Sequence, residues 1–207
     1  MNLSDFITST TLLFVLLNPF MMSVYLNELI DRLDFYTFRR VVHRAGLITT
    51  PVFLLFTLVG DMFFSQILQA RFASLLIFGG LVFLLIGLKM IFHGSQSLEF
   101  LRGDPEYLST SVAMPFMIGP GTLSACIVIG SNRSTGSSII VVLVAMTLTI
   151  SSLLAFKWLI DVVRKKREKL VRRYFEIAGR MAALVIGTIA VEMIIQGIEV
   201  ILQTRSP

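Results

Sequence analysis

The sequence predicts an all-α, polytopic membrane protein. Six transmembrane helices form two inverted three-helix repeats, and helices 1 and 4 are broken near the midplane. Three observations lead there. The 207 residues are 55% hydrophobic, with a mean hydropathy of +0.82, too apolar for a soluble domain of this size. The apolar residues gather into six runs, each near the roughly 20 residues that cross about 30 Å as a helix. Asn18-Pro19 and Gly119-Pro120 interrupt the first and fourth runs at matching places.

The runs fall at about 6–26, 45–64, 73–93, 111–130, 137–160 and 177–199. The first is not a cleavable signal peptide, because it lacks a basic start and a small-residue cleavage site. Residues 1–207 read as one membrane domain, with 1–93 the first repeat, 94–110 a cytoplasmic linker and 111–207 the second repeat. After the first run come Arg32, Arg39, Arg40 and Arg44 with Leu33, Phe35 and Phe38 among them, the pattern of an interfacial amphipathic piece. Thr49-Thr50-Pro51 predicts a kink or hinge in the second run.

Basic residues set the orientation. The loops after runs one, three and five, with flanking Lys89, Lys157 and Arg180, hold 15 of the 18 Lys and Arg residues. The positive-inside rule then puts both termini on the periplasmic side of an inner membrane. The run from Arg164 to Arg173 reads as an orientation signal resting on anionic lipid headgroups. No nucleic-acid motif accompanies it, so no nucleic-acid partner is expected. Lys89 and Lys157, near cytoplasmic ends, are expected to snorkel.

The two halves carry traces of duplication. Pro19 and Pro120 are each followed four positions later by a serine, Ser23 and Ser124. Gly79 and Gly87 recur as Gly179 and Gly187. An odd number of spans per half forces the second copy to insert upside down. Inverted repeats with broken helices in corresponding positions point to a secondary transporter's binding site.

Each break has a defined chemistry. Asn is a favoured N-cap and Pro is favoured at the first helical position, so Asn18-Pro19 reads as one half-helix ending and another starting. Gly119-Pro120 has the same form. A restarted helix offers unpartnered N–H groups and a partial positive charge, which attract a carboxylate. The predicted substrate site is therefore Asn18, Pro19, Gly119, Pro120, Gly121 and Thr122, with Ser23 and Ser124 behind them. The competing reading is a pair of proline kinks satisfied by neighbouring hydroxyls.

Glu192, Gln196 and Glu199 share one face of the sixth run, and Glu192 is the candidate for coupling transport to an ion. The other reading of that face is an outer-interface position in reach of water. Gly179, Ala183 and Gly187 form a small-residue stripe for close helix packing. His43 and His93 are isolated and Cys126 is the single cysteine, so neither a metal nor another cofactor is expected. No catalytic set is present, and the chain is not expected to be an enzyme.

Four segments resemble one family. They are Asn18-Pro19, Phe78-Gly79-Gly80, the stretch Pro115-x-x-x-Gly119-Pro120-Gly121-Thr122, and Ala190-Val191-Glu192-Met193-Ile194-Ile195-Gln196-Gly197-Ile198. Together they are similar to the MarC family of bacterial integral membrane proteins. The resemblance implies six spans in the inner membrane and a grouping with LysE-type exporters, some relatives being held to transport small neutral amino acids. The family's first motif reads Asn-Pro-x-Gly-x-x-Pro; here Met21 replaces the Gly and Val24 the Pro. The expected function is export of a small carboxylate-bearing solute, such as a neutral amino acid. The alternative is a non-transporting scaffold or regulatory protein. A homo-oligomer is compatible with either.

Overall fold

The computed structural model describes residues 3–62, 72–93, 105–131 and 134–203. The predicted linker lies mostly outside them, as do Arg71 and Arg133; the side chains of Asp61, His93 and 165–173 are not described either. The described residues are helical, without a strand among them.

The first apolar run is split. Helix α1 (Leu3–Leu17) stops at Asn18, and α2 (Pro19–Tyr25) restarts immediately. Helix α3 (Asn27–Arg32) follows and ends at Leu33, whose backbone is extended. Asp34 starts α4 (Phe35–Met62), its carboxylate accepting from the N–H groups of Tyr36 and Thr37 at 2.9 and 3.1 Å. Asp is a strong N-cap because it satisfies donors that the first turn leaves orphaned. The guanidinium groups of Arg39 and Arg40 lie against the Tyr36 ring, each with its central carbon 5.3 Å from the ring centre.

The hinge expected at Pro51 lies elsewhere. Thr50 donates to the Gly46 carbonyl at 2.7 Å, and Pro51 sits inside α4, whose non-helical torsions fall at Val59. Packing explains the shift. A Cβ on Gly130 would collide with the Thr57 carbonyl oxygen and stand 2.7 Å from its carbon. Two backbones meet there, beside the bend.

Helix α5 (Phe72–His93) carries the third run. The fourth run is broken most deeply: α6 (Pro105–Val112) starts within the expected linker, and a π-turn (Ala113–Met117) and α7 (Pro120–Ser131) follow. Helix α8 (Thr135–Gln203) carries both the fifth and sixth runs. Its first part packs on α4, where Ile150 and Met146 face Gly46, and its second part on α5, where Ala190 and Ile194 face Gly80. Straight, 69 residues would reach roughly 100 Å. The fifth and sixth runs are thus joined by continuous helix rather than by a loop.

Among the described residues, five helical stretches are long and apolar enough to cross a membrane: Leu3–Val24, Phe35–Gly60, Ala73–Phe92, Thr135–Arg164 and Gly179–Leu202. The fourth run does not qualify as a continuous span because its break leaves α7 only 12 residues. Large apolar side chains such as Phe78, Leu85, Trp158 and Leu184 face outward, as a lipid-facing surface requires.

Burial repeats along the chain. Val41, Val42, Ala45, Thr49, Phe53 and Thr57 are buried in α4, and so are Val141, Val142, Ala145, Thr149, Leu153 and Lys157, each 100 positions on. The same offset links Leu13, Leu17, Leu26 and Leu29 to Ala113, Met117, Cys126 and Ile129.

Candidate functional site

The first break is built by Asn18. Its φ of 43° and ψ of 69° are left-handed, a region that Asn tolerates better than most residues. Its side-chain oxygen accepts from the Met21 N–H at 3.2 Å, and Pro19 takes the first helical position. This is the predicted cap. The ladder is not fully severed: Asn18 donates to the Phe14 carbonyl and accepts from Met22, both at 3.0 Å. The break is a local reset rather than a gap.

A cavity of about 460 Å³ opens at this reset. Asn18, Pro19, Phe14 and Phe20 line one side; Ser152, Ala155 and Phe156 of α8 line the other. Phe20 and Phe156 meet edge to face with centroids 6.0 Å apart. Asn18 is exposed and Pro19 buried. Residues 119–124 do not line this cavity. Ser152, which sequence reasoning missed, is one of its polar residues; nothing in a serine within an apolar run marks it beforehand.

The second break follows from Pro115. A proline pushes the residue before it out of the α region, and Met114 is extended at φ −119° and ψ 126°. One π-type bond, Ile118 N–H to the Ala113 carbonyl at 2.8 Å, closes the turn. Gly119 then caps α7, its carbonyl accepting from Leu123 at 2.9 Å. Thr122 reaches back: its hydroxyl accepts from the Gly119 N–H at 3.0 Å and lies 2.9 Å from the carbonyls of Met117 and Gly119. A third-position side chain satisfying the cap's own N–H is half of a capping box.

Two predicted contacts therefore have structural work already. Thr122 is tied to the break it belongs to. Ser23 is buried and donates to the Phe20 carbonyl at 2.6 Å. Ser124 is half-buried. Gly121 is different: nothing lies within 4 Å of where its Cβ would be. The N–H groups of Gly121 and Thr122 belong to the first turn, which has no intrahelical partners for them.

The third span closes on this break. Gly79 faces Pro120, whose Cδ would lie 2.8 Å from a Gly79 Cβ, and Met193 Cε comes within 3.3 Å of the same point. Three of the four sequence motifs thus converge, with Thr49 of α4 contacting Met117 Sδ at 3.4 Å from the other side.

Glu192 is exposed and accepts from Gln196 at 2.9 Å. It lies on the side of α8 away from Ala190 and Met193, so within one chain it faces away from the fourth-span break. Lys157 does not snorkel. It is buried and donates to the Ile30 carbonyl and to Asp161, each at 2.7 Å. Arg164 donates to the Asp31 carbonyl and pairs with the Asp31 carboxylate. Cations at the C-terminus of α3 satisfy carbonyls that the helix leaves open, which no short-range pattern reveals.

These features define a multi-pass integral membrane protein with interrupted spans. Residues 3–202 match the family described as MarC family integral membrane protein, and the chain belongs to that family. A UPF0056 membrane protein of Methanocaldococcus jannaschii is 27% identical, covering 96% of this chain and 98% of its own length. A second, from Buchnera aphidicola subsp. Acyrthosiphon pisum, is 25% identical over 95% and 97% of the two chains. A third, from Pyrococcus horikoshii, is 22% identical over 94% of each. No solved structure matches.

Proposed function

We propose that this protein is a secondary transporter that exports a small carboxylate-bearing solute, such as a neutral amino acid, across a bacterial inner membrane. The observation that carries the reading is the pair of discontinuities at Asn18-Pro19 and Met114 to Gly119, in corresponding parts of the chain. The recurrence of buried positions at an offset of 100 supports two homologous halves. Six spans then require the halves to be inverted, with both termini periplasmic and the basic segment from Arg164 to Arg173 on anionic lipid headgroups.

In this reading the first-turn amides of α7 and the space beside Gly121 receive the carboxylate. Asn18 and Ser152 supply polar contacts across the cavity at the first break. Ser23 and Thr122 hold the breaks in shape, and Gly119 and Pro120 set the direction of α7. Binding needs no cofactor.

Flux of labelled amino acids in proteoliposomes tests this. Wild type should move at least one carboxylate-bearing solute, and Gly121→Leu should abolish that flux while remaining folded. Equal flux from both proteins across a broad panel overturns it. A non-transporting scaffold is the second reading, favoured by the burial of Phe116 and Met117 beside the break; it predicts no flux from either protein.

A further inference from the structure

The sixth apolar run carries a polar stripe that one chain leaves uncovered. Thr188, Glu192, Gln196 and Glu199 are all exposed. At about 100° per residue they fall within roughly 80° of one another around the helix. The packed face of the same stretch, Ala183, Ile186, Ala190 and Met193, lies on the far side. Glu192 is also deep. In the apolar stretch Gly179–Leu202 it stands between one and two residues from the middle, roughly 2 Å along the axis.

A carboxylate and a carboxamide facing hydrocarbon at that depth are costly, and such groups almost always face protein or a wet cavity. The stripe is also complementary to itself. Gln196 spends one amide hydrogen on Glu192 and retains a second; Glu192 retains an oxygen. Every copy inserts in the same orientation, so a two-fold axis along the membrane normal brings stripe onto stripe.

We propose that a second copy of this chain covers the face formed by Thr188, Glu192, Gln196 and Glu199. The spare Gln196 N–H of each copy donates to Glu192 or Glu199 of the other. Val185, exposed on the same side of the helix, adds apolar packing beside the stripe. The inference needs only that the chain is embedded in a membrane, not that it transports.

Subunit counting by single-molecule photobleaching in liposomes, over a rising protein-to-lipid ratio, tests this. Wild type should shift from one chain to two, and Glu192→Leu with Gln196→Leu should weaken that association about tenfold or more, the scale of interhelical hydrogen bonds in membranes. Glu192→Gln keeps a carbonyl oxygen with two lone pairs to accept both Gln196 hydrogens and should stay close to wild type. Single cysteines at positions 188, 192, 196 and 199, oxidised in native membranes, should give a band at twice the chain mass for at least one. Leu85→Cys, on an outward face of α5, should give none. Wild type that stays single at every ratio overturns the proposal, as does a crosslink only to a different protein or an undiminished association in the double variant. If solute flux fails but pairing holds, the transport reading falls alone.

Discussion

Gly79 and Pro120 occupy one point in the fold: a single added carbon on Gly79 would stand 2.8 Å from Pro120 Cδ and 3.3 Å from Met193 Cε. The third span is therefore glycine where the fourth is interrupted. A proline at a broken helix pushes its ring outward, and only a residue without a side chain leaves room for it. Gly80 does the same for the neighbouring backbone, where its Cβ would lie 2.7 Å from the Ala190 carbonyl oxygen.

Gly79→Ala should consequently destabilise the protein by roughly 1–3 kcal/mol, the usual cost of overpacking. Thermal unfolding in detergent should show the drop. Leu85→Ala, on the lipid-facing side of the same helix, should change little.

Gly121 and Gly130 sit in one helix and should respond oppositely. Gly121 has open space around its missing Cβ, whereas Gly130 abuts the Thr57 backbone. Gly121→Ala should be neutral or stabilising by about 0.5–1 kcal/mol, the helix preference of Ala over Gly. Gly130→Ala should destabilise by about 1–3 kcal/mol or shift α4 at Val59. Melting temperatures of the two variants in one detergent decide the matter, and equal shifts would contradict the packing.

Thr122→Val removes a hydroxyl that serves Gly119 N–H and lies against two carbonyls. Leaving that buried N–H without a partner costs about 1–3 kcal/mol, while Thr122→Ser should restore most of it. If Thr122 instead held only substrate, Thr122→Val would lose flux with an unchanged melting curve.

Acid should weaken the start of α4. Hydrogen bonds from Thr37, aided by that of Tyr36, hold the Asp34 carboxyl below its ordinary value of 3.8. A lowered folded-state value contributes stability that is complete above 3.8 and disappears as pH falls through the lowered value. Asp34→Ala should therefore lower the melting temperature at pH 6 and make little difference at the acid end of that window. A shift of the same size at both pH values would remove Asp34 from the capping role.

Sequence alone determined which class of protein this is and where its backbone breaks. Hydropathy, run length and proline position act locally: Pro115 forces Met114 to extend and Asn18 caps a restart whatever surrounds them. The same local rules misplaced the bend in α4, since a proline directly after Thr50 can be absorbed, whereas close contact between Thr57 and Gly130 cannot. Tertiary structure decided which groups have partners. Ser23 and Thr122 look like ligand contacts until their backbone partners appear, and Lys157 looks like a headgroup anchor until the Ile30 carbonyl, 127 positions away, is found against it. Pairings across such separations depend on how helices cross, and a crossing is set by the summed shapes of two surfaces rather than by any short stretch of either.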